Sequence, residues 1–175
     1  MVALALILTL ATLPDSHVRS TTPEIRALIA EGRERSEAIR SRLAALEDSN
    51  LIVYVDYYHS PVTRVAGFVT FAGTNGGWRY IRVSLRWDLP RHVQLVMLGH
   101  ELQHAVEIAA APAVVDPASM ARFYAGIGSE QASGGCRSFD TRAAVEVERQ
   151  IRTELNTLHP VHDIVAEASP RSGIQ

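Results

Sequence analysis

The sequence predicts an α+β fold: an N-terminal helix, a small and mostly antiparallel sheet, then a helical half. Three observations lead there. Apolar residues recur at helical spacing between Ile25 and Leu46, and short β-rich runs replace them between Leu51 and Leu85. From Val93 to Ala109 a run that is apolar on most sides contains no helix breaker except Gly99. At 175 residues the chain suits one domain with a sizeable core.

Taken in order, Val2 to Leu13 is nearly all apolar, the length of a signal-peptide h-region and too short to span a bilayer as a helix. Residues 1–18 are expected to be a signal peptide and 19–175 a single domain, with the mature chain starting between Thr12 and Ser20. Export and the absence of a membrane span follow. No Lys or Arg precedes Arg19, so a first buried strand is the other reading of this stretch. Thr21 and Glu24 have capping-box spacing, with Pro23 in the first turn, and one helix is expected from there to Leu46. Asp48-Ser49-Asn50 ends it. Leu51 to Tyr58, Val62 to Phe71 and Tyr80 to Leu85 are expected strands, the last two joined as a hairpin through Asn75-Gly76. Asp88 is the expected cap of the next helix, Pro90 lies in its first turn and Pro112 limits its far end. Asp116-Pro117 starts a short helix to about Gly126, a loop runs from Gly128 to Ser138, and Asp140 or Thr141 caps a last helix to about Leu158.

A formal net charge of −2, with no basic stripe on any segment, gives no electrostatic footprint for nucleic acid. The single cysteine, Cys136, excludes an internal disulfide, and no His or Asn stands in a recognisable nucleophile pairing with it.

Chemistry concentrates in His100-Glu101-Leu102-Gln103-His104. Residues four apart share a helix face, so His100 and His104 can close on one metal ion, and Glu101 sits about 100° round from His100. Two histidines and a glutamate inside an apolar helix are costly unless something satisfies them. Backbone hydrogen bonds are the bland solution. Zinc is the other: it acidifies water, and a carboxylate beside it takes the proton as the water attacks a carbonyl.

At these residues the chain resembles the zincin metallopeptidases, whose active-site helix carries His-Glu-x-x-His. The resemblance covers the motif helix and, loosely, the strand before it. Glu107 and Ala110 stand where the metzincin branch has Gly and His, so the similarity is to small gluzincin-type proteins and to short uncharacterised zincin-like proteins exported by bacteria. It implies a zinc-dependent peptidase acting on a peptide or protein, with His100 and His104 as ligands and Glu101 as general base. An exported zinc-binding domain or pseudo-enzyme without hydrolytic activity is the alternative. The family also implies that the strand nearest the motif helix pairs with extended substrate, which makes Tyr80 to Leu85 the candidate.

A catalytic zinc needs a third protein ligand. In gluzincins it is a Glu from a later helix, here Glu146, Glu148 or Glu154. Glu148 shares a face with Ala144, Ile151 and Leu155 and is the first choice, a surface pair with Arg149 or Arg152 being its ordinary alternative. Glu107 is the rival. A straight helix rises about 10 Å from His100 to Glu107, so Glu107 is better placed to orient His104 than to share its metal. His159 and His162 are further candidate ligands, and Tyr124 is a candidate oxyanion donor. His17, His59 and His92 carry no expected role.

Overall fold

The computed structural model describes residues 16–60, 65–133 and 136–157, with the backbone alone for 129–139. Residues 1–15, 61–64, 134–135 and 158–175 lie outside it, and with them most of the expected signal peptide, the start of the expected second strand, Leu158, His159 and His162. The architecture is α+β. The elements are β1 (Val18–Arg19), α1 (Pro23–Arg35), α2 (Glu37–Glu47), β2 (Leu51–Tyr58), β3 (Gly67–Asn75), β4 (Trp78–Arg86), α3 (Arg91–Ala109), α4 (Pro117–Ile127), β5 (Ser129–Ser133), β6 (Cys136–Asp140) and α5 (Arg142–Thr157).

The expected boundary between residues 18 and 19 falls inside β1. Val18 is buried and pairs with Val53, and the backbone N–H of His17 donates to the Glu47 carboxylate, so the folded unit includes residues before Arg19. The expected N-terminal helix is two helices. Ser36 breaks it by leaving helical geometry, with φ −134° and ψ 120°, and by accepting the Ile39 N–H on its hydroxyl at 3.1 Å. That is the competition with the backbone that makes serine a cap more readily than a helix interior. The Ser36 hydroxyl also donates to Glu154 at 2.6 Å, tying α5 to the start of α2.

The four-stranded sheet has the order β1-β2-β4-β3. Its hairpin forms where expected: Asn75 pairs with Trp78 across Gly76 and Gly77, whose φ values of 57° and 84° suit glycine in a tight turn. The sheet is mixed, though, because β2 runs parallel to both β1 and β4. Only the hairpin is specified by a local turn; the parallel pairs depend on longer connections. Tyr80 to Leu85 is consequently interior, with β2 on one side and β3 on the other, and β3 is the terminal strand of the sheet.

Helix α3 is buried through Leu95, Leu98, Leu102, Ala105 and Ile108, none with measurable exposure. Removing each large side chain from water contributes about 1.5–3 kcal/mol. Asp88 does not cap it: Pro90 occupies that position and Asp88 pairs with Arg86 at 2.8 Å. Gly99 lets α5 approach, because a Cβ there would lie 2.0 Å from Ile151 Cδ1. Among the described residues no helix is long and apolar enough to cross a membrane.

At the far end of α3, the buried Arg79 donates to the carbonyls of Ile108, Ala109, Ala111 and Val114 and to Asn50 Oδ1. It satisfies the carbonyls that a helix C-terminus leaves unpaired.

Candidate metal centre

His100 and His104 project from one face of α3, and their Nε2 atoms lie 3.2 Å apart with the rings edge to face. Both residues are buried. Asp140, the last residue of β6, completes the cluster with Oδ1 at 3.3 Å from His100 Nε2. One ligand atom from each of His100, His104 and Asp140 lies within 4.8 Å of the others.

Glu148 stands elsewhere. Its Oε2 is 3.4 Å from His100 Nδ1, on the far side of the ring from the cluster, and its Oε1 accepts from Arg152 at 2.7 Å. It comes close to His100 as its helical position suggested, but beside the other nitrogen. Helix α5 packs against α3 through Ile151 and Gly99, and that contact sets Glu148 beside the ring instead of in front of it. Glu146 pairs with Arg149, and Glu154 is engaged by Ser36 and by the Ala38 N–H. His159 and His162 are outside the described residues.

Glu107 takes the orienting position expected of it, accepting from His104 Nδ1 at 3.0 Å. Its other oxygen accepts from the Thr141 hydroxyl at 2.6 Å. Burial alone would push the Glu107 carboxyl up; the His104 and Thr141 hydrogen bonds outweigh it and hold the pKa below the ordinary value. Tyr124 packs its ring edge against His104 and donates to the His104 backbone carbonyl at 3.0 Å. Held on that carbonyl and beside Glu107, the phenol anchors the helix at His104.

Glu101 is buried at 3% exposure, and burial raises its pKa against the opposing charges of His104 and His100. Its carboxylate lies against the first residue of β3: a Cβ on Gly67 would sit 2.7 Å from Glu101 Oε1. His100 shows the opposite balance. Burial acts to lower its pKa, and the Asp140 hydrogen bond with the charges of Glu101, Asp140 and Glu148 raises it overall. Asp140 is held below its ordinary value, chiefly by His100.

This donor set suits a divalent cation. A tetrahedral ion with metal–nitrogen distances of about 2.0–2.1 Å places two ligating nitrogens about 3.3 Å apart, close to the 3.2 Å between the two Nε2 atoms. The carboxylates of Glu101, Glu107, Asp140 and Glu148 gather around the two imidazoles, with Arg152 pairing Glu148 from the outer side. Imidazoles and carboxylates held together at a buried place are costly without partners, and a cation is one such partner.

Asp140 is the residue of this cluster that sequence reasoning missed. The signal was the doublet Asp140-Thr141, two capping residues before one helix. Thr141 does the capping, accepting the Ala144 N–H at 3.1 Å, which leaves the Asp140 carboxylate for the cluster.

The chain matches no family model, no curated protein and no solved structure.

Proposed function

We propose that this chain is a zinc-dependent, zincin-like peptidase, exported on the strength of its apolar N-terminal stretch. The observation that carries the reading is the convergence of His100 Nε2, His104 Nε2 and Asp140 Oδ1 beside a buried Glu101. Two imidazoles and one carboxylate are a catalytic zinc donor set that leaves a coordination position open. Here the carboxylate is an Asp that precedes the last helix, where the gluzincin pattern has a Glu. Zinc bound there supplies Lewis-acid chemistry, polarising a carbonyl and acidifying water.

The remaining work falls to the chain's own groups. Glu101, one residue from His100, accepts the proton of the attacking water on a carboxylate oxygen and returns it to the leaving amine. Glu107 holds the His104 ring through Nδ1, and Glu148 faces the corresponding nitrogen of His100. Strand β3 is the edge along which an extended peptide would pair by backbone hydrogen bonds, since β4 has both edges occupied.

Hydrolysis of a peptide library by the zinc-loaded chain, compared with Glu101→Gln, tests the proposal. Turnover should fall by about 10²–10⁴ with zinc content unchanged. Full zinc occupancy with no hydrolysis of any peptide by the wild type would favour the non-hydrolytic zinc-binding domain instead.

A further inference from the structure

Thr141 sits at the junction between two parts of the centre. It follows Asp140 directly, opens α5, and is 4% exposed. Its hydroxyl has two partners of opposite kind. As acceptor it takes the Ala144 N–H at 3.1 Å, the ordinary duty of a helix cap. As donor it gives its proton to Glu107 Oε1 at 2.6 Å. Glu107 Oε2 in turn accepts from His104 Nδ1 at 3.0 Å.

The direction of this chain of hydrogen bonds matters. A neutral imidazole has one donor and one acceptor nitrogen. With Nδ1–H given to Glu107, the His104 lone pair is on Nε2, which faces His100. A helix cap needs only the acceptor lone pair of Thr141. The donor bond serves a different end: it joins the segment bearing the third carboxylate to the group that aims the second imidazole.

We infer that Thr141 is a positioning residue of the candidate metal centre, its hydroxyl locking Asp140 and His104 into one register by way of Glu107. The inference rests on the reading of His100, His104 and Asp140 as a metal site. It assigns Thr141 no contact with metal or substrate. Tyr124 steadies the same histidine from its backbone side, so the ring is held through Nδ1 and its carbonyl is held separately.

The test uses the full chain, with zinc affinity measured by competition against a chromophoric chelator and the visible spectrum of bound cobalt as a second readout. Wild type, Thr141→Ser, Thr141→Val, Glu107→Gln and the Thr141→Val/Glu107→Gln double variant are compared. Thr141→Val should weaken zinc binding about 10- to 100-fold and shift the cobalt spectrum, as loss of an outer-shell partner does. Thr141→Ser should restore both. Thr141→Val should add little on top of Glu107→Gln, because the two act in series. Should Thr141→Val not fold, Thr141→Ala is read in its place with the same expected loss, because it removes the donor and places no charge beside Glu107. Wild-type affinity and spectrum in Thr141→Val, with only a lowered melting temperature, would reduce Thr141 to a helix cap while leaving the metal site standing. Fully additive losses in the double variant would show that Thr141 does not act through Glu107. No zinc or cobalt bound by the wild type would overturn the metal reading and this inference together.

Discussion

The middle of α3 and its C-terminal end both bury charge, and they treat it in opposite ways. At the C-terminal end the Arg79 guanidinium is shut away and its donors are met by the carbonyls of Ile108, Ala109, Ala111 and Val114 and by Asn50 Oδ1. Around His100 and His104 the polar atoms turn toward one another: two Nε2 atoms face across 3.2 Å and Asp140 closes in at 3.3 Å from the first. A charge buried for structure is satisfied by the chain itself. Ligating atoms that the chain turns toward one another could hold a cation between them, which is why the middle of the helix, and not its C-terminal end, is the candidate site.

Substitutions at each place sharpen that contrast. Arg79→Met should have the largest effect on stability. It takes the guanidinium from the Ala109 and Val114 carbonyls and from Asn50 Oδ1, while Ile108 and Ala111 keep backbone N–H partners, and it should lower unfolding free energy by about 3 kcal/mol in urea titrations. Zinc bound per folded chain should not change. Loss of zinc binding at full folding would mean that the two places are not independent.

Gly67→Ala acts at the middle of the helix. The new Cβ would lie 2.7 Å from Glu101 Oε1 and 3.1 Å from Glu101 Cγ, so the carboxylate must move. Misplacing a catalytic group by about 1 Å can cost on the order of 10²-fold, so kcat on a cleaved peptide should drop about 10- to 100-fold. Zinc content should hold, because Glu101 is no ligand. Unchanged kcat would remove Glu101 from the chemistry.

The smallest effect belongs to a charge that is neither buried nor part of the cluster. Glu31 pairs with Arg91 across α1 and α3 at 2.7 Å and with Arg35 at 2.6 Å. Partial burial works to raise its pKa, and the Arg91 and Arg35 hydrogen bonds outweigh it and lower the value. A depressed carboxylate pKa contributes stability that is complete above the unfolded value of about 4.5 and is lost as pH falls through the folded one. Glu31→Gln should therefore cost about 0.2–1 kcal/mol at pH 7, a difference that vanishes in acid. A cost that persists in acid would have to come from packing.

What could be read from sequence follows the reach of each signal. The spacing of His100 and His104 and the placement of Glu107 beside His104 are facts about one helix, and both appear in the structure. The Asn75-Gly76 hairpin is equally local. Asp140 was not legible as a partner of His100, because its position depends on the β5–β6 hairpin and on α5 packing into the space left by Gly99. Glu148 was on the right helix face and reached the wrong nitrogen, a distinction finer than periodicity can make. The break at Ser36 is a local cap on Ile39 that Glu154 reinforces, whereas the parallel pairing of β2 with β4 depends on a long connection that no window of sequence contains. Arg79 could have been seen, since it shares strand parity with the buried Ile81, Val83 and Leu85.

With Asp140 as the proposed third ligand and Glu148 behind His100, the two carboxylates should differ in what their removal does to bound zinc. Elemental analysis of chains saturated with zinc and then desalted, for wild type, Asp140→Ala and Glu148→Ala, measures that difference. Near one zinc per chain is expected in the wild type, with retention in Glu148→Ala and loss in Asp140→Ala. Retention in Asp140→Ala with loss in Glu148→Ala would contradict the placement, and a wild type that holds no zinc would contradict the centre itself.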